Sequence, residues 1–219
     1  MARRALIVSG GWEGHRPHEL AEIAADGLRG RGFDVELRDS LACLLDEELV
    51  GSVDLIVPNW TLGTIEPSEL AALLGAVEDG TGLGGWHGGA GDAFRLEPDF
   101  QFLVGGQFVQ HPGGEVEYEV RIAHRDHEIV RGLEDFTLRS EQYYVHVDPA
   151  NRVLATTRFP VADGPHAANG AVDVPVAWTR RWGRGRVFYT SLGHDAEVFT
   201  QPPVLELCIR GLTWAAANP

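Results

Sequence analysis

The stretch Thr81-Gly82-Leu83-Gly84-Gly85-Trp86-His87-Gly88-Gly89-Ala90-Gly91-Asp92 decides the reading of this chain. Seven of its twelve residues are glycine or aspartate, so one reactive side chain, the imidazole of His87, stands out. A helical pattern precedes the stretch and another, Ala93 to Val104, follows it, which predicts a short buried strand ending in a tight turn. Glycines around Trp86-His87 let the backbone reach positive φ and pack closely. A strand-to-helix turn that presents one side chain between glycines has the geometry of a nucleophile elbow, here with histidine in place of Ser or Cys. The plainer reading is a Gly-rich loop whose histidine caps the next helix.

Working back from the turn, Glu66-Pro67-Ser68 opens a helix with Leu70, Leu73, Leu74 and Val77 on one stripe, stopped by Asp79-Gly80. Asp54 to Pro58 is a strand with Asn59 and Trp60 at its carboxyl end, and Leu41 to Val50 is a short helix. Phe33 to Leu37 alternates as a strand nearer an edge. Pro17 suits a first helical turn and Leu20, Ile23, Ala24 and Leu28 continue it. Ala5 to Val8 is the continuous apolar run of a strand buried on both faces. Strands alternating with helices predict right-handed crossovers and a parallel sheet. Ligands of such sheets bind beyond the strands' carboxyl ends, which here carry Trp12, Glu13, His15, Asn59, Trp60, Trp86 and His87.

Downstream the pattern changes. Gly105 to Gly114 is a loop holding His111, and Glu115 to Ala123 alternates as a half-exposed strand. His124 to Leu133 is a turn and short helix. Leu138 to Val147 and Arg152 to Arg158 are further strands, the first with Glu141, Tyr143 and Val145 on one face. A polar loop, Pro160 to Asp173, precedes a hairpin of Val174–Arg181 and Arg186–Ser191. The second arm breaks into Leu192-Gly193-His194-Asp195, and a last helix starts at Pro202. With no repeat or linker, residues 1–219 read as one domain, a parallel half with an antiparallel extension.

Composition narrows the chemistry. At 44% hydrophobic and 23% charged residues the chain has the make-up of a soluble globular protein. A net charge of −14 argues against nucleic acid or an anionic membrane as partner. All 18 basic residues are arginine, which excludes a lysine Schiff base, a lysine general base and the lysine of a P-loop. Cys43 and Cys208 make neither a disulfide framework nor a zinc pattern. Four apolar residues after Met1-Ala2-Arg3-Arg4 are too few for a signal-peptide core, so a cytoplasmic protein is expected.

Nine histidines are present, and His15, His87 and His194 each end a predicted strand beside glycine. They converge if those strand ends share one sheet edge, and Asp195 gives His194 an adjacent carboxylate. Imidazoles near neutrality serve as proton shuttles or metal ligands. Glu141 is either an exposed strand carboxylate or part of that site. Trp12, Trp60 and Trp86 are either core or aromatic walls for a sugar ring. His18, His124, His127 and His166 read as solvated surface positions. Neither a dinucleotide fingerprint nor a Gly-x-Ser-x-Gly frame is present.

Trp60-Thr61-Leu62-Gly63, Gly84 to Asp92, Val104 to Gly114, Ser140-Glu141-Gln142-Tyr143-Tyr144 and Gly185 to His194 together resemble the trehalose-utilisation (ThuA-like) family, over nearly the whole chain. The resemblance implies a class I glutamine amidotransferase-like fold, a flavodoxin-like three-layer α/β/α sandwich. It places His87 where amidotransferases keep their cysteine and His194 where they keep the catalytic histidine, so a thioester route is closed. It implies sugar catabolism beside oxidoreductases that make 3-keto-glycosides. The expectation is an enzyme acting on a glycoside or keto-sugar by hydrolysis, elimination or isomerisation. His87, His194, Glu141 and Asp195 are its catalytic candidates. Trp12, His15, Trp60, Trp86, His111 and Tyr143 are the substrate-binding candidates. A non-catalytic sugar-binding or regulatory module is the alternative. Zinc or another divalent ion on His87 and His194, with His15 or Glu141 as third partner, stands beside a metal-free pair of imidazoles acting as acid and base. The partner expected is a small-molecule sugar, and self-association in the family adds a homo-oligomer.

Overall fold

In the computed structural model, which describes residues 2–217, strands β1 (Arg3–Gly11), β2 (Phe33–Arg38), β3 (Leu55–Thr61) and β4 (Gly82–Trp86) run parallel. A further parallel strand, β11 (Gly185–Thr190), lies beside β4. Their order, β2-β1-β3-β4-β11, is the flavodoxin-type order. Beyond β11 the sheet continues antiparallel through β10 (Val172–Trp182), β9 (Arg152–Phe159), β6 (Glu115–Ile122) and β7 (Phe136–Glu141). Nine strands thus share one sheet. A separate pair, β5 (Gly106–Gln110) and β8 (Tyr144–Val147), lies apart from it.

Period 2 along β1 separates two apolar layers. Ala5 and Ile7 pack with α1 (Pro17–Arg29) and α7 (Pro202–Ala215). Leu6 and Val8 pack with α3 (Pro67–Asp79) and α5 (Pro98–Val104) on the opposite face. All four strand residues are at most 1% exposed, which explains the uninterrupted apolar run. The result is the α/β/α sandwich that the sequence predicts.

Several elements differ from expectation, and over residues 124–133 the chain makes successive turns where a short helix was expected. The helix predicted from Ala93 begins only at Pro98, because proline is accommodated in a first turn. Ala93 instead bridges to Leu62. Leu41–Val50 divides at Asp46, whose carboxylate accepts from the Leu49 N–H at 3.0 Å and caps α2 (Glu47–Gly51). The strand predicted over Leu138–Val147 breaks at Gln142. That buried amide donates to Thr157 Oγ1 at 2.9 Å and accepts from the Val161 N–H at 3.1 Å. The chain leaves its partner β6 there and pairs with β5, a strand within what reads as a loop.

Candidate functional site

The turn after β4 is an elbow. Trp86 is extended, His87 has φ 42°, and α4 (His87–Gly91) starts at once. A left-handed conformation is uncommon outside glycine and costs about 1–3 kcal/mol, so it persists only where neighbours enforce it. They do so here. The Tyr189 hydroxyl donates to the His87 carbonyl at 3.1 Å, and Nδ1–H of His87 donates to the Ser191 carbonyl at 2.9 Å. The glycines that follow serve close approach. A Cβ at Gly88 would meet the His15 ring, and one at Gly91 the Tyr189 hydroxyl.

Three other chain segments bring side chains to Nε2 of His87. The loop after β11 delivers His194, whose Nδ1 is 3.2 Å from that atom. The end of β7 delivers Glu141, with Oε2 3.2 Å from His87 Nε2 and 3.4 Å from His194 Nδ1. Past the break at Gln142, the Tyr143 hydroxyl lies 2.8 Å from His87 Nε2. The turn after β1 adds His15, its ring centroid 4.8 Å from that of His87 and 5.4 Å from that of His194. This is the crevice where the sheet order reverses between β1 and β3, the ligand position of doubly wound sheets. Thr61 Oγ1, at the end of β3, holds His15 Nδ1 at 2.9 Å. His111 Nε2 approaches the other Glu141 oxygen at 3.5 Å.

Burial and charge fix the protons. Burial raises the Tyr143 hydroxyl well above its ordinary range, so it stays a donor. Burial, aided by the neighbouring imidazoles, lowers His15 to about 3. Burial also lowers His87, against the pull of Glu141. For Glu141 burial opposes ionisation, but the hydrogen bond from His87 and the surrounding imidazoles outweigh it and lower the carboxyl. The set is an ionised carboxylate facing His15 and His87, whose protonated forms burial disfavours. With Nδ1–H of His87 committed to Ser191, Nε2 is the ring atom left to exchange a proton with Glu141, His194 and Tyr143.

Six predicted site residues therefore meet: His15, His87, His111, Glu141, Tyr143 and His194. Trp12 stands at the rim, 53% exposed, with its ring 4.8 Å from that of His15. Trp86 does not line the site. It is 1% exposed and stacks on Phe199 in the core, because the last residue of a strand covered on both faces turns one way or the other into packing. Trp60 is half-buried over Gly10 and Gly63, a packing role. The Asp195 carboxylate caps α6 (Ala196–Phe199) by accepting from the Val198 N–H at 2.8 Å, while remaining beside His194 and Glu115. Thr61, Tyr189, Ser191 and Glu115 went unrecognised. Among them only Thr61 and Ser191 carry a sequence signal, their place at strand ends. His127, read as solvated, is 9% exposed.

Ligand atoms of His15, His87, Glu141 and His194 all lie within 4.8 Å of one another. Three nitrogens and one oxygen form a donor set suited to zinc. For metal–ligand bonds of roughly 2.0–2.1 Å, a tetrahedron separates its ligand atoms by about 3.4 Å, close to the spacings around Glu141 Oε2. The two outer Nδ1 bonds, to Thr61 and Ser191, are of the kind that orient ligating imidazoles.

The family model described as ThuA, trehalose utilisation, matches residues 4–215. A ThuA-like protein from Parabacteroides merdae superposes with TM-score 0.78 at 20% identity, over 99% of this chain and 91% of its own. One from Bacteroides uniformis gives TM-score 0.76 at 18% identity, over 97% and 91%. The β-galactosidase of Bacillus circulans contains a similar fold, with TM-score 0.61 and 15% identity over 98% of this chain but 30% of its own. No curated protein matches the sequence. Among the described residues no helix is long and apolar enough to cross a membrane.

Proposed function

Because the chain belongs to the ThuA (trehalose utilisation) family, related to sugar metabolism, we propose that it transforms a glycoside or keto-sugar by proton transfer at the histidine–glutamate cluster. The observation that carries this reading is the convergence of Glu141, His194 and Tyr143 on Nε2 of His87. An ionised carboxylate 3.2 Å from an imidazole nitrogen makes a proton-accepting pair, able to take a proton from a sugar C–H or O–H. The Tyr143 hydroxyl, held protonated, donates to oxygen that gains negative charge. His194, less buried than His87, returns the proton. Trp12 offers an aromatic face to the ring at the rim.

The donor set also fits a divalent cation held by His15, His87, Glu141 and His194. A bound metal would supply Lewis-acid polarisation of a carbonyl or hydroxyl. Elemental analysis of protein purified without an affinity tag tests this half. Stoichiometric metal in the wild type, absent from His87→Gln, supports it, and a metal-free protein that keeps full activity after chelation removes it.

The reaction is tested with a panel of 3-keto-glycosides and their parent glycosides, following loss of the glycosidic bond or of the carbonyl. Glu141→Gln and His87→Gln are expected to lose about 10²–10⁴-fold in turnover while still binding sugar. If both variants turn over and bind as the wild type does, the protein is a sugar-binding or regulatory module instead.

A further inference from the structure

A second cavity lies at the other end of the sheet. The groove has a volume of about 920 Å³ and is lined by Arg131, Arg152, Arg181, Arg186, His127 and Trp214. Arg186 is the second residue of β11, and Ser191, which holds His87, follows its end. Five residues of strand at about 3.3 Å each separate the two places by roughly 16 Å.

The charge of this groove runs against that of the molecule. Net charge is −14, and among the described residues 12 of the 18 arginines reach a carboxylate. Of the other six, four line this one groove: Arg131, Arg152, Arg181 and Arg186. Arg180, beside them, is already paired with Asp148 at 3.1 Å.

Two further features make the cluster costly as it stands. Arg181 and Arg186 are direct partners across the β10–β11 ladder, and like charges directly opposite one another destabilise a hairpin. Nε–H of Arg186 is buried with no acceptor, although the guanidinium lies 5.0 Å above the Trp214 ring. A buried donor without an acceptor costs about 1–3 kcal/mol. An anion in the groove relieves the like-charge pair. Guanidinium forks match the oxygens of phosphate in pairs, and several of them together favour a multiply charged group. The indole of Trp214 supplies a surface for a ring, and the carboxylates of Asp126 and Glu128, also on the lining, accept hydroxyl hydrogen bonds.

We propose that this groove binds a phosphate ester carried on a ring, a sugar phosphate or a nucleotide, at a site remote from the histidine–glutamate cluster. The site stands independently of the reaction assigned to that cluster.

Calorimetric titration at low ionic strength with inorganic pyrophosphate, glucose 6-phosphate, adenosine monophosphate and unphosphorylated glucose tests it. Saturable binding of a phosphate ester is expected, tighter than pyrophosphate and absent for glucose. The tighter of the two esters identifies the ring. Arg152→Ala with Arg181→Ala, both exposed positions, should weaken it by at least about tenfold, the loss expected for a charge-assisted hydrogen bond. Unliganded Arg181→Gln should melt above the wild type, since it removes the like-charge pair, and should lose the stabilisation that the ester gives. The proposal is overturned if no phosphate compound binds at millimolar concentration or if the double variant binds unchanged. It is equally overturned if pyrophosphate alone binds, or if an oligoglutamate peptide binds where phosphate esters do not.

Discussion

His87 pays about 1–3 kcal/mol for its left-handed backbone, and what it gains is a direction. Its side chain projects from the elbow into the cluster while Tyr189 and Ser191 hold it from behind. Tyr143 is the neighbour whose role can be separated from folding. In Tyr143→Phe the ring still packs against Phe108 and His87, and only the hydroxyl bond is removed. A stability loss of about 1 kcal/mol is expected, with a fall of about 10²–10³-fold in kcat. Equal kcat in the two proteins would remove Tyr143 from the chemistry. His127 makes a different prediction. Its Nδ1 accepts the Ile129 N–H at 3.3 Å, so the folded state needs the neutral ring. Burial first, then Arg152 and His124, lowers its pKa against the opposing pull of Glu128 and Asp126. The unfolded chain therefore takes a proton that the folded chain refuses. Its contribution is complete above the unfolded value of 6.5 and is lost as pH falls below it. The urea midpoint should drop from pH 7 to pH 5, and more steeply in the wild type than in His127→Gln.

At the scale of elements, the elbow depends on close packing between α4 and its neighbours. A methyl at Gly91 would meet the Tyr189 hydroxyl, whose buried ring has no room to withdraw. Gly91→Ala is expected to cost about 1–3 kcal/mol, as overpacking does. A melting temperature within a degree of the wild type would show that the turn is looser than it stands here. How much of this was legible beforehand varies by element. The strands β1, β3 and β4 and the helix α3 carry local signals, apolar runs and a 3.6-residue stripe, and those patterns are what the tertiary structure uses. Convergence of His15, His87 and His194 followed from placing three strand ends on one edge. Period 2 put Glu141 and Tyr143 on one face of a continuous strand; both do reach His87, but across a break fixed by Gln142 reaching Thr157, a contact 15 residues away in sequence. The Trp86 side chain is a similar case. A strand end buried on both sides offers no local sign of which face is core.

For the whole molecule, the two ends of the sheet differ in kind. Beyond the carboxyl ends of β1, β3 and β4 lie imidazoles and a carboxylate, and toward the opposite end of β11 lie unpaired arginines. The strand between them, β11, is contributed by residues Gly185–Thr190 and stands in the middle of the order, with β4 on one side and β10 on the other. That placement governs how the chain assembles. Until residue 190 is available, the parallel strands and the antiparallel strands are two unfinished sheets, each with an open edge where β11 belongs. Contacts between β4 and β11 join residues about a hundred positions apart, the kind of pairing that slows folding. A chain truncated after Trp182 is expected to be insoluble or to elute as aggregates on size exclusion, since open edges pair with other chains. A monomeric, cooperatively melting fragment would contradict this. During synthesis the same logic makes β11 the strand that closes the two halves, so a nascent chain depends on Gly185–Thr190 to leave the unfinished state.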